Sequence, residues 1–237
     1  MTQITVDGKV IEAEGGVSLL QVCLENGIYI PNLCFLKDFP EPHASCRLCF
    51  VEVQGTSGPV PSCTLAVEEG MEVRTDTADV RALQKAAFRL LLSVHRLECA
   101  HCPANRRCEL QRIARFLKVG LKPSGLEQRF KEPEVVRDHP AIDHYPNRCV
   151  LCARCVRSCL SDEGLPMMTF AGRGFDTVVS FFGQGGIEGS ACGTCRSCVG
   201  VCPVGALVLR EETQNVQCPM SNDEGKTGNP GSRLSPE

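Results

Sequence analysis

The chain has 237 residues, a length that suits two or three small domains better than one large one. Seventeen are cysteine, while aromatic residues make up 5% and Trp is absent, so soft ligands are abundant where large core-filling side chains are scarce. A net charge of −3, from 25 Lys plus Arg against 28 Asp plus Glu, gives no basic field for nucleic acid or anionic lipid. The odd cysteine count, the lack of an apolar leader and the lack of any apolar run near ~18 residues argue against a secreted disulfide scaffold or a membrane span. A soluble cytoplasmic chain is expected.

In chain order, residues 1–78 read as a small β-rich domain. Ile4 and Val6 alternate with polar neighbours up to Asp7-Gly8, a two-residue hairpin signal that predicts a second strand through Val10. Ser18 and Gln21 form a capping box, and Leu19, Leu20, Cys23 and Leu24 give an apolar helical stripe ending at Gly27. After a loop rich in proline and cysteine, 48–53 and 71–75 return to strand patterning. Residues 79–120 read as helical. Thr77 is an N-cap with Asp79 in the first turn, followed by apolar positions Val80, Leu83, Ala87, Leu90, Leu91 and Val94. A second helix, 108–119, sets Arg112, Arg115 and Lys118 beside Leu110, Ile113, Phe116 and Leu117, read as a solvated basic face rather than a docking surface. Residues 121–146, with Pro123, Pro133, Pro140 and Pro146, read as a connector, 147–210 as a cysteine-dense domain, and 211–237 as a polar tail that stays disordered unless a partner ties it down.

The cysteine-dense domain carries the most specific signal. Cys149, Cys152, Cys155 and Cys159 form C-x2-C-x2-C-x3-C, and Cys192, Cys195, Cys198 and Cys202 repeat that spacing. Three thiolates at three-residue intervals can wrap one [4Fe–4S] cluster, and the fourth ligates the other cluster in two-cluster ferredoxins. The expected sets are Cys149, Cys152 and Cys155 with Cys202, and Cys192, Cys195 and Cys198 with Cys159. Zinc, which favours two separated pairs, fits two complete runs of four poorly. In the first domain Cys34, Cys46, Cys49 and Cys63 suit a [2Fe–2S] cluster with two thiolates per iron, although a structural zinc site remains open on spacing. The middle group, Cys99, Cys102 and Cys108, is one ligand short. His95 lies four residues before Cys99 and shares a helix face with it if the helix extends that far; His101, flanked by two ligands, is the less favoured competitor. Imidazole in place of thiolate makes a cluster less negative. Cys23 reads as a small hydrophobe and Cys218 as a free thiol.

On these residues the chain resembles the N-terminal iron–sulfur module of the complex I large iron–sulfur subunit, the small diaphorase subunit of NAD-reducing hydrogenases, and parts of iron-only hydrogenases and NAD-linked formate dehydrogenases. The resemblance implies an α+β chain with three parts. These are a β-grasp ferredoxin domain holding [2Fe–2S] at Cys34, Cys46, Cys49 and Cys63, a helical His/Cys3 domain with the family's H-x3-C-x2-C-x5-C site at His95, Cys99, Cys102 and Cys108, and a two-cluster ferredoxin-like domain. One [2Fe–2S] and three [4Fe–4S] clusters follow. The complete eight-cysteine section resembles the hydrogenase and formate dehydrogenase branch. Ala44 stands where relatives commonly have Gly, and Leu160 rather than Pro follows Cys159.

Four clusters on one chain make sense as an electron wire. Gly183, Gly185 and Gly186 approach G-x-G-x-x-G, but Glu188 takes the third glycine position, so no NAD or flavin is expected here. With only 35 residues after Cys202, no substrate-converting site is expected, and the implied partners are a flavin/NAD(P)-binding subunit and a catalytic oxidoreductase subunit, an NAD-reducing hydrogenase being the best single guess. Formate dehydrogenase, electron-bifurcating and benzoyl-CoA reductase-type complexes are the alternatives, with a zinc-stabilised interaction module a remote one.

Overall fold

Alternation at Ile4 and Val6 builds β1 (Thr2–Val6), which pairs antiparallel with β2 (Lys9–Ala13), Val6 facing Lys9. Asp7 and Gly8 between them both have positive φ, 50° and 81°, the turn whose twist matches a hairpin. The Asp7 carboxylate also accepts hydrogen bonds from Thr75 N (2.8 Å) and Thr75 Oγ1 (2.6 Å), clasping the hairpin to the strand before it, β5 (Glu72–Arg74). With β3 (Phe50–Val53) and β4 (Val60–Pro61) these make a five-stranded sheet in the order β2-β1-β5-β3-β4, in which β5 runs parallel to β1 and antiparallel to β3. Helix α1 (Leu19–Glu25) buries Leu19, Leu20, Val22 and Cys23 in one apolar cluster with Ile4, Val6, Val51 and Val73. Ser18 Oγ accepts from Gln21 N at 3.3 Å, but the Gln21 side chain turns to Glu25, so only half of the expected capping box forms.

The computed structural model describes residues 1–37, 39, 41–122, 125–161, 167–182, 192 and 195–210, leaving out the side chains of 160 and 161. The readings of the polar tail, of Cys218 and of Gly183, Gly185, Gly186 and Glu188 lie outside the described residues.

Helix α2 (Ala78–Ser93) starts at Thr77, whose Oγ1 accepts from Val80 N and donates to Glu52 Oε1 at 2.6 Å. Its buried stripe is Val80, Gln84, Phe88 and Leu92, whereas Leu83 and Leu90, expected inside, are 39% and 62% exposed. The rotation has a physical cause: it buries the larger Phe88 ring completely and lets Gln84 Nε2 satisfy the Phe50 carbonyl at 3.1 Å. Helix α3 (Glu109–Leu117) buries Leu110, Ile113, Ala114 and Leu117. Its basic face is only partly solvated, because the Arg112 guanidinium sits 4.2 Å from the centre of the Tyr29 ring.

Four short strands left no trace in the sequence. β6 (Ile142–His144) pairs antiparallel with β9 (Leu207–Leu209), and β7 (Met168–Ala171) with β8 (Val178–Phe181). Part of the stretch read as a connector is thus a strand. Three-residue strands with partners far along the chain are too short to show a period. Helices α4 (Arg154–Ser161) and α5 (Ser197–Gly200) complete the section. A central apolar cluster joins Leu33 and Leu48 of the first section to Phe88, Leu92 and Ile113 of the second and Val150 and Val204 of the third. No helix among the described residues is long and apolar enough to cross a membrane.

Candidate metal centres

The first centre forms where the loop after α1 meets the sheet. Cys34, Cys46, Cys49 and Cys63 are all buried, with Cys34 Sγ 3.4 Å from Cys46 Sγ and a second thiol hydrogen bond between Cys49 and Cys63. The hydrogen bond between Cys34 and Cys46 draws the Cys34 thiol down to about 5, and the same bond, with burial, holds Cys46 well above its ordinary value. Cys63 is lowered and Cys49 raised in the same way. Within each pair the shared hydrogen bond thus eases proton loss from one thiol and hinders it at the other. Ser62, between sheet and loop, anchors the cage by donating from both N and Oγ to the Cys49 carbonyl.

The second centre lies beyond α2, and the helical argument for His95 does not hold. The helix ends at Ser93, and Cys99 opens a 3-10 turn, Cys99–His101, so no helix face carries both donors. The chain nevertheless brings His95, Cys99, Cys102 and Cys108 around one cavity, whereas His101 is exposed and outside its lining. The His95 ring is buried, hydrogen-bonds to the Arg148 backbone and leaves Nδ1 without a partner, while desolvation lowers its pKa to about 4. A ring nitrogen freed by a bond at the other end of the imidazole is what metal ligation requires. Orphaned buried nitrogen and facing thiols together fit a metal cluster.

In the third section four of the eight cysteines share a cavity. Cys149, Cys152, Cys155 and Cys202 line one cavity. Cys192 and Cys198 lie within electrostatic reach of both Cys159 and Cys195. Cys202 therefore shares a cavity with the first run, the placement that the spacing leads one to expect for a fourth member. Burial raises the Cys149 thiol to about 11 and Cys152 and Cys198 to about 12, and Cys155 higher still, so loading metal must release protons. Backbone N–H groups point at sulfur: Leu151 N to Cys149 (3.4 Å), Met167 N to Cys159 (3.2 Å) and Ala206 N to Cys202 (3.3 Å).

These loops also hold strain. Ala44, Arg47, Arg106, Leu151 and Ala153 all adopt positive φ without being glycine, and every one lies between or beside the cysteines. Ala44, at φ 49°, occupies the conformation that glycine adopts most cheaply. The second and third centres are adjacent: Val204 lines both cavities, and a Cβ at Gly205 would come within 2.8 Å of Ala104 Cβ and 3.4 Å of Cys102 Sγ. Among the described residues no three His, Cys, Asp or Glu are placed to hold a single ion, and the donors instead ring volumes. Two histidines that sequence reading missed border the third section's cages. His139 Nδ1 accepts from Ala141 N at 3.1 Å and its Nε2 lies 3.6 Å from Cys192 Sγ, while His144 lines the Cys149 cavity. Neither sits in a ligand motif that could have marked it.

Comparison with known proteins matches a 2Fe-2S iron-sulfur cluster binding domain at residues 1–78, the NADH-ubiquinone oxidoreductase-G iron-sulfur binding region at 84–121, and the ferredoxin-like domain of NADH-quinone oxidoreductase subunit 3 at 139–208. A G-type NADH-quinone oxidoreductase subunit of Rhizobium meliloti is 37% identical over 216 residues, 88% of this chain and 24% of that one. NADP-reducing hydrogenase subunit HndD of Solidesulfovibrio fructosivorans is 31% identical over 94% of this chain and 39% of its own. The chain thus spans well under half of these curated relatives. A crystal structure of an NAD+-reducing [NiFe]-hydrogenase in the H2-reduced state superimposes with a TM-score of 0.77 at 28% identity, covering 88% of this chain and 87% of that one.

Proposed function

Since the chain belongs to the iron–sulfur module family of complex I G/75 kDa subunits and NAD(P)-reducing hydrogenase subunits, we propose that it is the electron-transfer subunit of a cytoplasmic multi-subunit NAD(P)-linked oxidoreductase, an NAD-reducing hydrogenase being the best single assignment. In this reading a β-grasp domain holds [2Fe–2S] through Cys34, Cys46, Cys49 and Cys63. One [4Fe–4S] cluster takes His95, Cys99, Cys102 and Cys108. A second takes Cys149, Cys152, Cys155 and Cys202, and a third takes Cys159, Cys192, Cys195 and Cys198. Each cluster, when bound, supplies a site that accepts and returns one electron with little rearrangement.

The observation that carries the reading is that eight of the proposed donors line two adjacent cavities, His95, Cys99, Cys102 and Cys108 one and Cys149, Cys152, Cys155 and Cys202 the other, with Val204 in the wall of both. The protein's share of the work follows from its own residues. Thiolates and one imidazole fix the metal, buried apolar side chains such as Leu48, Val150 and Val204 exclude water, and backbone N–H groups aimed at sulfur offset negative charge. Substrate conversion and hydride exchange fall to a catalytic subunit and a flavin/NAD(P) subunit.

The test is reduction by nicotinamide. Under argon, NADH or NADPH should leave the chain's visible absorption unchanged when alone and bleach it once the flavin subunit is added. Bleaching of the isolated chain would place a nicotinamide site on it and contradict the assignment.

A further inference from the structure

His144 is a buried titratable side chain that lines a cage and that no ligand set uses. It is 1% exposed, and neither Nδ1 nor Nε2 has a hydrogen-bond partner. Its backbone is held on both sides: His144 N donates to Val136 O (3.0 Å), Val136 N returns the bond to His144 O (2.8 Å), and Leu207 pairs with it across β6 and β9. The strand thus fixes the Cα–Cβ direction, and the ring lies buried away from water. It lines the same cavity as Cys149, Cys152, Cys155 and Cys202, whose other walls, Val150, Val179, Val204 and Leu207, offer no side-chain acceptor. An imidazole always carries at least one N–H, and burying it unpaired is costly, so a partner must occupy that cavity in the working protein. Sulfur of a cluster, thiolate or inorganic, is an acceptor of the right kind.

We propose that His144 donates an N–H···S hydrogen bond to the cluster held by Cys149, Cys152, Cys155 and Cys202 and thereby sets its reduction potential above that of an otherwise equal cluster. The inference rests on the cluster assignment made above. The physical link is charge: a donor to sulfur stabilises the more negative, reduced state, so removing it makes reduction harder. His144 is a positioning and tuning residue, since it ligates nothing.

The experiment uses the full chain, loaded anaerobically and titrated with dithionite while each cluster's EPR signal is followed. His144→Leu keeps the volume roughly filled and removes the donor, and His144→Gln keeps a donor. The expected result is that His144→Leu weakens reduction of one [4Fe–4S] cluster roughly tenfold, about 59 mV downward for a one-electron couple. His144→Gln should recover most of that shift, and the other signals should stay in place. An unmoved potential in His144→Leu with full iron content overturns the proposal, as does an equal shift in both variants. If His144→Leu loses the cluster, the decision passes to 15N-histidine labelling of native chain and His144→Gln: a weak nitrogen coupling present in the first and absent in the second supports the bond, and identical spectra refute it. Native chain without labile sulfide defeats the cluster assignment and this inference together, whereas native sulfide with an unmoved potential defeats this inference alone.

Discussion

The first and second centres use nearly the same donors and hold them in opposite ways. Cys34, Cys46, Cys49 and Cys63 are buried against a five-stranded sheet whose own cluster of Ile4, Leu20, Val51 and Val73 needs no metal to pack. His95, Cys99, Cys102 and Cys108 come instead from a helix end, a 3-10 turn and a helix start, with Cys99 and Cys102 half-exposed. Their frame is borrowed from elsewhere: Arg96 N donates to Asn147 O at 2.7 Å, Glu109 N to Pro203 O at 3.0 Å, and Gly205 approaches so closely that a Cβ there would crowd Ala104 and Cys102. The first cage rests on a sheet of its own section, with Cys34 and Cys46 reaching into the central cluster; the other closes only when distant segments dock around it. Metal therefore contributes far more to order in the second.

The strongest way to break that contrast is to strip the iron. Structural metal binding contributes on the order of 10 kcal/mol to a small site, so a chelator with a reductant should open 95–108 to protease and amide exchange while 1–78 stays protected. Simultaneous loss of protection in both segments would end the distinction. Next in size, His95→Ala should remove one [4Fe–4S] signal and about four iron per chain while sparing the [2Fe–2S] signal. Iron content and spectrum unchanged in that variant would show that His95 is no ligand.

How much of this was legible in the sequence differs along the same line. The Asp7-Gly8 turn and the Thr77 cap are local signals, and each is found where the spacing puts it. The burial of Gln84 rather than Leu83 could not be read, because it depends on one carbonyl of β3 meeting the helix. His144 was invisible for a related reason: β6 exists only through its partner β9, and a lone histidine in a proline-rich stretch carries no pattern. His95 was singled out by counting ligands, and the shared helix face behind that choice does not exist, since the helix stops two residues short of it.

Two smaller effects sharpen the view of the first domain as self-supporting. Burial raises the Cys23 thiol from 9.0 to about 12, desolvation acting ahead of the Asp7 charge. The folded chain thus keeps a proton that the unfolded chain releases between those values, so this contribution is complete below pH 9 and fades as pH rises toward 12, by a few kcal/mol at full extent. Thermal unfolding followed from pH 8 to 11 should show the decline, and Cys23→Val should flatten it. Least of all, Ala44→Gly relieves an alanine held at φ 49° and should stabilise the chain by about 1 kcal/mol or less, the loop relief being partly offset by the freer unfolded chain, with iron content unaltered. A drop in midpoint temperature would mean that the Ala44 methyl packs to more effect than its conformation costs.

The central claim is that sixteen side chains in four cages hold four clusters. Iron, zinc and acid-labile sulfide measured per polypeptide in anaerobically purified chain, with EPR after stepwise reduction, test it most directly. The account predicts about 14 iron and about 14 sulfide with one [2Fe–2S] and three [4Fe–4S] signals; zinc without sulfide would contradict it.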